Sequence, residues 1–253
     1  MTTNKLTLLI LLVLISVSLL MRTFGTNQPV PTPEPTSTAQ KPTPTPTPSS
    51  SPRPMASPTP SLPVSVLLPV PFTPQAPTAN WDELHNEACE EASLIMAAAY
   101  FAGDQRSTIP PSEVETQITT LTEWQQTHFG YYLDSNAEET ARMVREVYGL
   151  KAQIIRNFSE SDIKHALAND KLVIIMLAGR KLDNPYYRAP GPEYHVLVIR
   201  GYTSTHLITN DPGTRRGAEY KYTYETLSNA TAEWDHAMNG IDESKSVIIV
   251  VSR

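Results

Sequence analysis

The sequence has one cysteine, Cys89, so no disulfide can form within the chain and the fold must rest on its core. It has no basic run. Lys5, Arg22, Lys41 and Arg53 stand ahead of residue 64 with only Glu34 against them, which leaves 16 basic and 25 acidic residues, a charge of −9, for the rest. A surface this acidic is ill suited to neutralising phosphates and argues against a nucleic-acid partner. No His-Glu-x-x-His pair occurs, although His85, Glu90, Glu91, His195 and Asp211 could be imagined as ligands, so neither a metal nor another cofactor is expected.

What the chain does contain is unevenly spread. Leu6 to Met21 is an apolar run of 16 residues interrupted by Thr7, Ser16 and Ser18 and flanked by Lys5 and Arg22. Its length suits a signal-peptide core or a short spanning helix, and residues 1–25 are expected to be a signal anchor or signal peptide. Residues 26–63 carry 13 prolines in 38 positions, interleaved with Thr and Ser. Proline removes amide donors and fixes φ, so this stretch is expected to be a disordered linker, extended over roughly 100 Å. The remainder, 64–253, is long enough for one well-buried core. The expected location is extracytoplasmic, anchored through residues 6–21 or secreted if that segment is cleaved, and the expected state is a monomer.

Within 64–253 the patterning predicts helices at about 87–102, 111–126, 136–148 and 159–169. Pro110-Pro111-Ser112 opens the second, Asn136 caps the third, and Ser159-x-x-Asp162 forms a capping box at the fourth. Strands rich in Val, Ile and Tyr follow at about 151–156, 172–178, 194–201, 205–211, 218–223 and 246–251. Helices gather early and strands late, which predicts an α+β domain with a largely antiparallel sheet.

Four residues are candidates for chemistry. Cys89 falls in the first turn of a predicted helix, where free backbone NH groups and the helix dipole favour a thiolate. Taken alone it also fits an apolar stripe with Ala92, Ser93, Met96 and Tyr100. His195 begins an apolar strand, a place where a base can be held rigidly yet open to a cleft; alone, it would as readily be a structural histidine. Asp211 lies 16 positions further on. A turn centred on Thr203 would pair positions summing to 406 and set the carboxylate opposite the imidazole, whereas a loop of even length would put them on opposite faces. Gln75, among prolines ahead of the cysteine, could donate to a developing oxyanion together with the Cys89 NH.

Together these four resemble the papain-like cysteine peptidases, and in detail the C39-like peptidase domain. The stretches that carry the resemblance are Val70-Pro71-Phe72-Thr73-Pro74-Gln75-Ala76-Pro77 with Trp81-Asp82, Ala88-Cys89-Glu90-Glu91-Ala92-Ser93, Tyr194-His195-Val196-Leu197-Val198-Ile199-Arg200-Gly201-Tyr202 and Asn210-Asp211-Pro212-Gly213. The resemblance implies a papain-like fold and thiol-dependent cleavage of a peptide or protein substrate. Cys89 would be the nucleophile, His195 the base, Asp211 its orienting partner and Gln75 the oxyanion donor. One departure stands out, because Cys89-Glu90-Glu91 replaces the family's common Cys-Gly-Pro. Two carboxylates beside a thiolate oppose its formation unless both point away from the cleft. The alternative expectation is therefore a catalytically silent papain-like domain that binds peptide or cell-wall ligands.

Overall fold

The computed structural model describes residues 61–253. The apolar run at 6–21 and the proline-rich segment up to residue 60 lie outside the described residues. Among those described, no helix is long and apolar enough to cross a membrane.

A two-residue strand β1 (Val66–Leu67) and a short helix α1 (Glu83–Asn86) lead into α2 (Cys89–Ala102), α3 (Pro111–His128) and α4 (Ala137–Glu146). Local chemistry sets their ends. Gly103 stops α2 in the left-handed region at φ 83°, where glycine has no Cβ to clash. Pro111 opens α3, and Asn136 with Glu139 closes a capping box on α4. Strand β2 (Lys151–Arg156), helix α5 (Glu160–Ala168, boxed by Ser159 and Asp162) and strands β3 (Leu172–Ala178), β4 (Tyr194–Tyr202), β5 (Leu207–Asn210) and β6 (Tyr220–Tyr222) follow. Helix α6 (Tyr224–Asn229), a hairpin β7 (Glu233–Asp235) and β8 (Gly240–Asp242), and β9 (Val247–Ser252) complete the order.

The main sheet runs β2-β9-β3-β4-β5-β6 with β1 also paired to β4, and every pairing in it is antiparallel. Every residue of β3 and β4 is buried. Successive side chains point to opposite faces, so both faces of the sheet centre are covered. Helix α2 packs on β4, α4 on β2 and β9, and α5 on β3. Six consecutive residues of β3, Leu172 to Leu177, have no exposed surface, and burying each large apolar side chain contributes about 1.5–3 kcal/mol. The α+β architecture with an antiparallel sheet is thus the one the patterning predicted. Elements α1, α6, β1 and the β7–β8 hairpin were not predicted; each is six residues or fewer, too short to show a period.

The β4–β5 hairpin corrects the expected register. Its loop spans 203–206, four residues, and the first pairs are Tyr202 with Leu207 and Gly201 with Ile208, sums of 409. Continued unchanged, that odd sum would place His195 and Asp211 on opposite faces. Beyond the loop the pairs become Ile199 with Thr209 and Val198 with Asn210, sums of 408. Arg200 is the extra residue, and this bulge restores the parity. His195 and Asp211 therefore stand diagonally on one face instead of directly opposite. The bulge is anchored by its own side chain. Arg200 Nε and Nη2 both donate to the Leu68 carbonyl at 2.9 and 2.6 Å, and Leu68 N returns a bond to the Arg200 carbonyl.

Candidate active site

Cys89 is the first residue of α2, and the turn ahead of it is braced by Gln75. The Gln75 amide donates to the carbonyls of His85 and Asn86 at 2.8 and 3.0 Å, while its backbone NH donates to Pro212 at 2.9 Å. One buried residue thus ties the entry to the cysteine helix, through its side chain, to the loop after Asp211, through its backbone. Both amide hydrogens are committed to these carbonyls, so in this conformation Gln75 braces the turn and does not face a vacant oxyanion position. His85, its carbonyl so engaged, places its ring between Asp82 at 2.7 Å and Glu115 at 2.8 Å.

The side chains flanking the thiol differ from expectation. Glu90 and Glu91 are 1 % and 2 % exposed and both turn into the protein. Cys89 Sγ donates to Glu90 Oε2 at 2.9 Å, and Glu90 Oε1 accepts the Ser135 NH at 2.8 Å. The Val196 NH also faces the sulfur. Burial first, then the charge and hydrogen bond of Glu90, push the Cys89 thiol well above its ordinary range, against the thiolate expected at a helix start. The helix end is covered by β4 and by the loop before α4, and desolvation outweighs its dipole.

His195 is wholly buried, not open to a cleft. The Gly179–Pro192 segment covers it: Tyr187 sets its ring edge-on to the imidazole at 5.5 Å. The Nε2 of His195 bonds Asp211 Oδ1 at 2.8 Å, and its Nδ1 has no hydrogen-bond partner. Sulfur and imidazole are therefore brought to adjoining elements, with Val196 against the thiol, but are not hydrogen-bonded to each other.

Asp211 gathers five donors. Besides His195, Oδ1 accepts the Gly213 NH at 3.0 Å, and Oδ2 accepts Tyr187 and Tyr222 hydroxyls at 2.7 Å each and the Asn184 amide at 3.1 Å. Burial would raise the carboxyl, but the His195 charge and these bonds outweigh it and hold Asp211 below the usual range. Burial and the Asp211 charge push both tyrosines far up, so they remain donors. Gly213 is required here: a Cβ would lie 2.9 Å from Tyr187 Cε1 and 3.0 Å from His195 Cε1. As partners of Asp211, Asn184, Tyr187 and Tyr222 were not legible in the sequence, because they lie 11 to 27 positions from it, beyond any local pattern.

Above these residues opens a cleft of about 990 Å³, lined among others by Gln75, Glu87, Asp134, Tyr187, Arg216 and Trp234. Its lining mixes Glu87, Asp134 and Glu193 with Arg188, Arg215 and Arg216, and next to Asp134 lie the buried Glu90 and Glu91. Burial and like charges push Glu90 up to about 8, Asp134 to about 8 and Glu91 to about 7. Gln125 donates to Glu91, yet Glu91 Oε2 and Gln125 Oε1 are buried without partners. A protonated Glu91 offers the donor that this pair lacks.

These shifts give a stability prediction. A carboxyl whose folded value lies above its unfolded one keeps a proton that the unfolded chain has released, so its contribution is complete below the unfolded value and is lost as pH rises to the folded one. Glu90, Glu91 and Asp134 should therefore make the domain lose stability between about pH 4.5 and about pH 8. Asp211, depressed, acts oppositely and loses its contribution as pH falls through its folded value. Urea midpoints measured across pH should peak on the mildly acid side, and Glu91→Gln should flatten the decline toward pH 8. A midpoint that climbs steadily to pH 8 would refute this.

A sequence profile described as the Peptidase_C39 like family matches residues 67–241. No curated protein matches the chain. Among solved structures, a protein from Bacillus anthracis described as a C39-like peptidase aligns with a TM-score of 0.47 at 17% identity, over 75% of this chain and 98% of its own. Xylellain, a cysteine protease from Xylella fastidiosa, aligns with a TM-score of 0.38 at 14% identity, over 75% of this chain and 86% of its own. The profile spans well over half of the sequence and encloses Cys89, His195 and Asp211, and the chain belongs to the Peptidase_C39 like family.

Proposed function

We propose that this domain hydrolyses peptide or amide bonds through Cys89, with His195 as general base and Asp211 holding the imidazole, in a chain kept outside the cytoplasm by residues 6–21. The observation that carries the reading is the state of His195. Its Nε2 is committed to a five-donor carboxylate, leaving Nδ1 as the free nitrogen of a ring at the start of β4, the strand against which α2 packs. Asp211 fixes the proton on Nε2, so Nδ1 is the basic nitrogen that can take the thiol proton. The thiolate then attacks a carbonyl carbon, an acyl-enzyme forms as the amine leaves with the His195 proton, and water returns the free thiol. The Cys89 NH, and Gln75 if its amide turns from His85 and Asn86, would stabilise the oxyanion.

Glu90 favours a second reading. Cys89 is 4 % exposed and its thiol is engaged by a carboxyl, which suits a silent domain that holds a peptide or cell-wall ligand in the cleft. Incubating the full-length chain with a peptide library in reducing buffer separates the two. The peptidase reading requires new termini with wild type and none with His195→Ala; intact peptides in both samples would leave only the binding reading.

A further inference from the structure

Glu90 makes two different contacts with its two oxygens. Oε1 is anchored: it accepts the Ser135 NH at 2.8 Å and lies 3.4 Å from the Ser135 hydroxyl. The Ser135 carbonyl in turn accepts the hydroxyl of Tyr194, the residue before His195, at 2.9 Å. The network therefore joins the start of α2, the loop before α4 and the start of β4, segments 45 and 59 positions apart along the chain. A carboxyl serving only that junction would be satisfied by Ser135. Its other oxygen, Oε2, takes the hydrogen of the chain's single thiol at 2.9 Å.

Resting on the reading of Cys89 as nucleophile, we propose that Glu90 is its positioning residue: anchored on Ser135, it engages the thiol hydrogen while ionised, and frees it for His195 Nδ1 once protonated, when it becomes a donor to the sulfur. The proton balance is closed. Glu90 takes one proton from solvent, the thiol proton passes to Nδ1, and the resulting thiolate and imidazolium are flanked by the Glu90 hydroxyl and the Asp211 carboxylate. The titratable groups around the pair are Glu87 in the turn before α2, Glu91 within it, Asp134 in the loop before α4, Glu193, Tyr194 and His195 at the start of β4, and Glu233 on β7. Burial and the charge of Glu91 push Glu90 up to about 8, which puts the donor form at neutral pH and removes the like-charge obstacle there.

The test is the pH profile of Cys89 alkylation by iodoacetamide in the full-length chain, where one cysteine gives one signal. In Glu90→Gln the amide oxygen can keep the Ser135 NH while the amide nitrogen donates to sulfur at every pH. Alkylation of this variant should match wild type within about threefold near pH 6. Above pH 8 it should be faster by about tenfold or more, a midpoint at least about one unit lower. Superimposable profiles, or a change uniform across pH as a loosened fold would give, would overturn the proposal. Should the variant not fold, the infrared S–H stretch of wild type, assigned by its loss in Cys89→Ala, serves instead. A band below the free-thiol frequency should grow in as pH rises through 8, and a band at the free-thiol position, or one indifferent to pH, would count against Glu90. Neither readout needs turnover, so the expected profile in a protein that cleaves nothing would sink the peptidase reading alone.

Discussion

Cys89→Ser is expected to lower peptide turnover by on the order of 10³-fold or more while leaving the urea midpoint nearly unchanged. The two halves of this expectation have separate causes. A serine hydroxyl ionises far less readily than a thiol, and in the proposed reaction His195 takes one proton at Nδ1 from a group that gives it up easily. The fold, by contrast, asks of position 89 only a small side chain that can donate to Glu90 Oε2, and a hydroxyl does so. Turnover of the purified chain and equilibrium unfolding, measured side by side, check both halves. Retained turnover would mean that the reaction does not pass through sulfur. Loss of both together would mean that the thiol is mainly a packing element.

Asp211→Ala is expected to cost about 3–5 kcal/mol of stability, the range for removing one partner of a buried charged network. The carboxylate is wholly buried and accepts from His195, Gly213, Asn184, Tyr187 and Tyr222. Its removal strands donors that water cannot reach. Tyr187→Phe, which deletes one of the five, should cost only about 1 kcal/mol. Urea unfolding of the two variants against wild type measures the contrast. Equal and small losses would show that the donors find other acceptors, and that the network does not hold the cleft wall.

Much of this was legible without coordinates. Strands 151–156 and 172–178 are observed at the predicted bounds because β-branched runs flanked by turn residues admit few other readings. The capping residues Asn136 and Ser159 likewise act within three positions of themselves. Less accessible was the surrounding of Cys89. Two adjacent glutamates in a sequence look solvated, since carboxylates are rarely buried. Only Ser135, 45 positions away, and Gln125, 34 away, explain why both turn inward.

By itself the sequence determined the order of helices before strands and the antiparallel α+β class, since periodicity and capping are local, while Cys89, His195 and Asp211 were joined as candidates only by a family resemblance. The tertiary structure alone decided which way those residues look. A four-residue loop would have set His195 and Asp211 on opposite faces, and the bulge at Arg200 reverses this through bonds to Leu68, 132 positions earlier. Folding also placed Glu90 against the thiol and Tyr187 over the imidazole. Contacts between residues so far apart depend on how layers pack, and no pattern along the chain records them.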